Sequence, residues 1–185
     1  MKATVATNVQ DLEQILTLQR SNLIASLSPA EWQDQGFVTV EHTLDVLQQM
    51  HDAAPSIIIK DDGRVVAYAL TMLRECRNMV PILEPMFANL DALQWKNKPL
   101  SDHRFYVMGQ ICVAKEYRGQ GLFDRLYEKH REVCSPQYDF LVTEIATRNT
   151  RSMRAHERVG FKTIHTYRDD LDHWAVVIWD WHHMA

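Results

Sequence analysis

The residues best suited to chemistry lie between Gln110 and Leu126, which read Gln110-Ile111-Cys112-Val113-Ala114-Lys115-Glu116-Tyr117-Arg118-Gly119-Gln120-Gly121-Leu122-Phe123-Asp124-Arg125-Leu126. An apolar run ends near Val113, two glycines follow, and helical spacing begins at once. Such a turn aims free backbone N–H groups and the positive end of a helix dipole at one point, which makes an anion site. Glycine lets the backbone approach a phosphate with no side chain between them. Arg118 adds a fixed positive charge. The ligand is not a dinucleotide held by GxGxxG, because Asp124 stands at the third glycine position, and the P-loop GxxxxGK[ST] is absent.

A second group of polar residues follows the run Leu141-Val142-Thr143-Glu144-Ile145-Ala146. Asn149 precedes a helical stretch from Thr150 to Val159 that Gly160 can close as a C-terminal cap. Arg148, Arg151, Arg154 and Arg158 make a basic cluster on it, with Arg151 and Arg154 placed nearest to any phosphate and Arg158 read as a solvated, charge-balanced side chain. His156 carries the imidazole, which exchanges a proton near neutral pH. It also fits a packing role. Strand alternation puts Glu144 on the face opposite Thr143 and Ile145, so it is a base only if that face lines the site. Cys112 has an apolar flank that raises a thiol pKa, which argues against a nucleophile.

The elements that must position these groups can be read from periodicity. Residues 2–7 make a short strand, and 9–25 an amphipathic helix through Val9, Leu12, Ile15, Leu16 and Leu23. Ser28-Pro29 can cap and restart a helix that Gly36 breaks, and 41–52 make another. Asp62-Gly63 between two β-rich runs, 56–60 and 64–73, is a hairpin signal. Residues 81–100 read as a helical insertion punctuated by Pro81, Pro85 and Pro99. A central strand over 105–113, a helix from 122, a strand over 140–146, the 150–159 helix and two antiparallel strands (161–167 and 174–181) complete the chain. A hairpin followed by strands alternating with helices predicts an α/β or α+β fold with a mixed sheet, as one domain over residues 1–185.

Composition limits the possible partners. With 20 Lys and Arg against 24 Asp and Glu, the net charge of −4 gives no global attraction for nucleic acid or anionic lipid. Neither a bilayer-spanning run nor a signal peptide is visible. Three cysteines without CxxC spacing and nine scattered histidines form neither a disulfide framework nor a metal site, so a reducing cytoplasm and no metal are expected.

The segment Arg118-Gly119-Gln120-Gly121-Leu122-Phe123 resembles the Arg/Gln-x-x-Gly-x-Gly/Ala signature of the GNAT acetyltransferase superfamily, with Phe123 departing from the small residue usual at its end. The strand, Asn149, short helix and Gly160-Phe161 follow it in that family's order. The resemblance covers residues 105–181 by motif and the N-terminal half by element order. It implies a mostly antiparallel sheet with splayed central strands and acetyl-CoA in the cleft between them. Its contacts would be Ile111, Cys112 and Val113 through their backbone, Arg118 to Phe123 around the pyrophosphate, and Asn149, Arg151 and Ser152. His156 occupies the position of the Tyr that often protonates the leaving thiolate. Glu144 is the candidate base, with Tyr117 and Tyr127 less well placed as acids, and Gln110 and Tyr106 pointing from the neighbouring strand. The acceptor would be the primary amine of a small molecule, walled by Trp32, Phe37 and Trp95, with Met86 and Phe87 further candidates. A peptide amine is the alternative, as is a silent acyl-CoA-binding module. A homodimer is an open possibility, because Trp179 and Trp181 share one strand face.

Overall fold

The computed structural model describes residues 1–28 and 37–183. Strand β1 (Ala3–Val5) leads into helix α1 (Val9–Arg20). Asn8 caps α1 by accepting the Asp11 N–H at 2.9 Å, and the Asp11 carboxylate accepts the Thr7 N–H at 3.0 Å, so two orphan donors are satisfied reciprocally. Leu12, Ile15 and Leu16 bury the expected face. The helix stops at Arg20 instead of residue 25, because Leu23 goes extended and pairs with Val38. Helix α2 (Leu44–Ala53) is capped by Thr43.

Strands β2 (Ile57–Asp61) and β3 (Arg64–Met72) form the expected hairpin. Asp62 and Gly63 have φ of 45° and 78°, as a type I′ turn requires of both central residues. The insertion is less helical than the reading over 81–100. It contains 3₁₀ turns over 74–83, helix α3 (Glu84–Ala92), and a two-residue hairpin of β4 (Gln94–Trp95) and β5 (Lys98–Pro99). The prolines decide this: Pro81 and Pro85 sit in the first turns of their helices, where a missing N–H is harmless, and Leu93 turns extended.

Strand β6 (Phe105–Val113), helix α4 (Leu122–Cys134), strand β7 (Phe140–Ala146), helix α5 (Thr150–Val159), and strands β8 (Lys162–Arg168) and β9 (His173–Asp180) complete the fold. The seven-stranded sheet runs β1-β2-β3-β6-β7-β9-β8. All pairs are antiparallel except β6 with β7, which pair in parallel over only three positions, Phe105–Val107 against Phe140–Val142. Beyond Val107 the two strands part. A bulge helps to turn β6 away: Leu70 faces Gln110 and Thr71 faces Met108, which leaves Gly109 without a partner on β3. Glycine suits this position, since a Cβ would stand 3.1 Å from Met72 Cβ and 3.4 Å from Met50 Cε and would press on both. No helix among the described residues is long and apolar enough to cross a membrane.

Candidate active site

The parting of β6 from β7 opens two cavities that meet at Phe37, Val38, Ile111, Asn149 and Ser152. The larger, of about 650 Å³, runs along the C-terminal half of β6 to the start of α4 and is bounded on the other side by α5. Gly119 and Gly121 both hold left-handed backbone, with φ of 76° and 75°. Gly121 is the N-cap of α4 and offers no side-chain cap, so the first-turn N–H groups keep their demand for an acceptor. A Cβ at either glycine would meet nothing within 4 Å, so the chain leaves open space over the turn. Arg118, Arg151, Arg154 and Arg158 line this cavity. Burial, aided by the nearby charge of Arg151, pushes the Arg118 guanidinium down from its usual range. An anion between the two arginines would relieve that repulsion. Helix N-terminus, left-handed glycines and paired guanidinium groups together fit a pyrophosphate.

Of the residues expected at this end, Ile111, Cys112, Val113, Arg118, Gly119, Gly121, Leu122, Phe123, Asn149, Arg151 and Ser152 all line the large cavity. Gln120 does not. It is exposed, and its amide donates back to the Glu116 carbonyl at 3.2 Å, because the two left-handed glycines rotate the residue between them outward. Asn149 caps α5 by accepting the Ser152 N–H at 3.2 Å and also donates to the Phe37 carbonyl at 3.4 Å. Arg158 is paired with Asp124 at 2.8 Å, as a charge-balanced side chain. Arg148 points the other way, to Asp172 at 2.6 Å and over the Phe37 ring at 5.1 Å. The Cys112 thiol is pushed up to about 12 by burial and is inert as a nucleophile.

The second cavity, of about 340 Å³, lies on the β7 side of the junction. Glu144 is in its wall. Its Oε2 accepts the Tyr167 hydroxyl at 2.7 Å, and its Oε1 is buried with no hydrogen-bond partner. Burial raises this carboxyl from 4.5 to about 7; the Tyr167 hydrogen bond works against the rise and the Asp169 charge adds to it. Thr143, Ile145 and Ala146 line the same cavity, so strand alternation does not exclude Glu144 from it. Tyr167 has no local signal of its own, because it reaches Glu144 across β9. Ile82, Leu83, Pro85 and Met86, from the insertion, form an apolar wall.

A strap closes the junction from above. Val38 N–H donates to the Asn22 carbonyl and Ile24 N–H to the Val38 carbonyl, each at 3.0 Å. Arg118 ties this strap to the anion loop, donating through Nη2 to Asn22 Oδ1 at 2.6 Å and through Nε to the Val113 carbonyl at 3.0 Å. Gln110 anchors it from below. Its Oε1 accepts from Tyr68 at 2.6 Å and Gln19 at 2.7 Å, and its amide donates to the Val40 carbonyl at 2.8 Å. Phe37, expected to wall the acceptor, is part of this strap and touches both cavities.

His156 requires a correction. It lies against the second cavity but is only 2% exposed, enclosed by Phe123, Tyr127 and Phe161. Nδ1 lies 2.8 Å from the Ser152 carbonyl, which can only accept, so Nδ1 carries the proton; Nε2 then accepts the Tyr127 hydroxyl at 2.7 Å. Burial lowers its pKa to about 4. A neutral imidazole with both nitrogens engaged has no free N–H to offer a thiolate, an arrangement that suits packing better than proton donation. Tyr127 is buried with it, and Tyr117 spends its hydroxyl on Asp61 at 2.7 Å. Tyr106 is likewise a core residue bonded to His130.

Trp95 also requires correction. Its indole donates to Asp180 at 3.3 Å, and it lines neither cavity, because the β4–β5 hairpin packs at the far end of the sheet. Met86 does reach the second cavity, and Phe87 packs in the core. Trp32 and the Ser28-Pro29 helix restart fall on or beside residues 29–36, outside those described. Among the described residues, no three His, Cys, Asp or Glu side chains gather as a metal ion would need.

The fold has relatives of known structure. The chain is similar to the ribosomal-protein-alanine N-acetyltransferase from Brucella melitensis, at 16% identity and a TM-score of 0.64, over 97% of this chain and 99% of that one. It is similar to the ribosomal-protein-S18-alanine N-acetyltransferase from Escherichia coli, at 13% identity and TM-score 0.63, over 96% and 93%. An N-acetyltransferase from Staphylococcus aureus Mu50 aligns at 18% identity and TM-score 0.61, over 97% and 99%. No curated protein matches the chain significantly in sequence. The model of the Acetyltransferase (GNAT) family matches residues 13–161, which include the anion loop, the parting strands and α5. The chain belongs to the acetyltransferase (GNAT) family and is an acyltransferase.

Proposed function

We propose that the protein transfers the acetyl group of acetyl-CoA to the primary amine of a small molecule by direct attack, with Glu144 as base. The observation that carries this reading is the meeting of an anion-binding cleft and an acid-bearing cavity at Ile111, where β6 has left β7. Acetyl-CoA supplies the acetyl group as an activated thioester. The Gly119–Phe123 turn, Arg118 and Arg151 would hold its pyrophosphate. Backbone groups of Ile111 to Val113, released from β7, can pair with an extended arm as an added strand would. An N–H from that edge, aimed at the thioester oxygen, stabilises the negative charge that grows there when an amine attacks.

Glu144 suits the base because a carboxyl titrating at about 7 is ready to take a proton at neutral pH. Its orphan Oε1 lacks a donor that an amine N–H, or a water carried with it, would supply. Tyr167 orients the carboxylate from the other side. The leaving thiolate needs a hydrogen bond more than a strong acid, since an ordinary thiol titrates at about 8.5. Ser152, common to both cavities, has the hydroxyl placed to give one.

The test is release of free thiol from acetyl-CoA against a panel of amines, with thermal shifts for acetyl-CoA, CoA and ATP. Amine-dependent release and stabilisation by both CoA species support the reading. Binding without turnover of any amine would leave an acyl-CoA-binding module in its place, and stronger stabilisation by ATP would remove it. A peptide acceptor is the second reading, favoured by the two similar structures named as ribosomal-protein alanine acetyltransferases.

A further inference from the structure

Resting on that reading, we infer that the acceptor is a lipophilic monoamine, a single primary amine carried on an apolar body. The second cavity has a divided chemistry. Three carboxylates, Glu144, Asp169 and Asp172, face it against one guanidinium, Arg148, which favours a cation. Two of those carboxylates are already engaged. Asp172 accepts Arg148 Nε on Oδ2 and the His173 N–H on Oδ1. Asp169 Oδ1 accepts three donors, the Leu171 and Asp172 N–H groups and the Trp174 indole, each at 2.9 Å. That leaves the unpartnered Oε1 of Glu144 as the demand for one N–H donor.

The side of the cavity toward the insertion is apolar, whereas Thr39, Gln110, Thr143, Asn149, Ser152 and Tyr167 supply polar groups elsewhere in its wall. Ile24, Val40, Leu83 and Met86 line the apolar side, and Ile82 and Leu171 stand at its rim. Ile82 is 57% and Leu171 65% exposed, two of only four large hydrophobic side chains that are open to solvent among the described residues. They come from separate segments, the insertion and the β8–β9 loop, yet flank one cavity. Leaving both in water costs hydrophobic free energy that an apolar ligand would recover. A polyamine or aminoglycoside would instead set further ammonium or hydroxyl groups against this apolar side.

The test compares kcat/KM for ethylamine, butylamine, hexylamine, spermidine and a short Ala-initiated peptide with the full-length protein and acetyl-CoA. Each added methylene should raise kcat/KM roughly fourfold until the cavity is filled, the ratio expected for burying one CH₂. Ile82→Asp and Leu171→Asp, at exposed positions where folding should be unaffected, should each cut the hexylamine-to-ethylamine ratio by about tenfold or more. Melting temperatures and acetyl-CoA affinity equal to the parent's would confirm that the variants fold. Thiol release with a flat or falling dependence on chain length, or a preference for spermidine, overturns this inference alone, and a preference for the peptide overturns the small-molecule acceptor with it. No thiol release with any amine overturns it together with the proposed activity.

Discussion

Replacing Glu144 by Gln tests the buried carboxyl by its linkage to folding. The native carboxyl titrates at about 7 because it is buried, against 4.5 for the free side chain. Below pH 4.5 both states hold the proton and the group is neutral toward stability. Between 4.5 and 7 the folded chain keeps a proton that the unfolded chain has released, so stability falls as pH rises. Above 7 the deficit levels off at about 3 kcal/mol, from roughly 1.4 kcal/mol for each pKa unit. Gln cannot ionise, so this pH dependence should vanish. Its amide still accepts the Tyr167 hydroxyl, and any mismatch of its NH₂ group adds an offset that does not vary with pH. The variant should therefore gain about 1.4 kcal/mol on the parent between pH 6 and pH 8.5. Urea unfolding of both proteins at these two pH values measures it, and the acid limb of kcat/KM near pH 7 should be lost with the same substitution. Parallel stability curves would show that Glu144 is not held protonated by burial, and the argument for it as a base would fail with them.

Tyr167→Phe should move that acid limb upward, because the lost hydrogen bond stabilised the carboxylate; an unmoved limb would show that Tyr167 does not orient the base. His42, His130 and His156 are each buried and lowered to about 4. Their stabilisation is complete above the unfolded value of 6.5 and is lost as pH falls toward 4, about 2 kcal/mol each by pH 5. In the Glu144→Gln variant, which removes the opposing carboxyl, urea unfolding should accordingly show stability falling by several kcal/mol between pH 7.5 and pH 5, and a flat profile would contradict the neutral, buried state of these rings. Tyr127→Phe strands His156 Nε2 without its donor and should cost about 1–3 kcal/mol with little change in kcat; a loss of kcat at constant stability would return His156 to the chemistry. Gly121→Glu places a carboxylate at a left-handed position in the anion cradle, and calorimetry should find CoA affinity reduced by about a hundredfold or more. Unchanged affinity would refute the cradle.

Much of the fold was legible because its signals are local. The Asp62-Gly63 turn, Gly160 as a C-terminal cap with φ of 115°, and the 105–113 and 140–146 strands are all specified by neighbouring residues. The anion loop was legible for the same reason: a strand, two glycines and a helix lie within one short segment. The insertion was less so, since its prolines mark where helices can begin but not that 74–83 would form 3₁₀ turns.

His156 and Glu144 show where such reading stops. Both are single polar residues in amphipathic elements, and nothing nearby in sequence says which is enclosed by aromatic rings and which faces a cavity. That depends on Phe123 and Tyr127 of one helix reaching His156 on another, and on Tyr167 reaching Glu144 across an intervening strand. Trp95 turned from acceptor wall to hairpin anchor for a similar reason, a contact with Asp180 that is 85 residues away. By itself the sequence determined the order along the chain of the elements that carry the chemistry, the strand–glycine–helix turn and the family it resembles, because backbone geometry and helix dipoles are local properties. Only the tertiary structure decided that Glu144 is buried beside Tyr167 and which residues line the second cavity, because burial sets a pKa and depends on residues far apart in the chain.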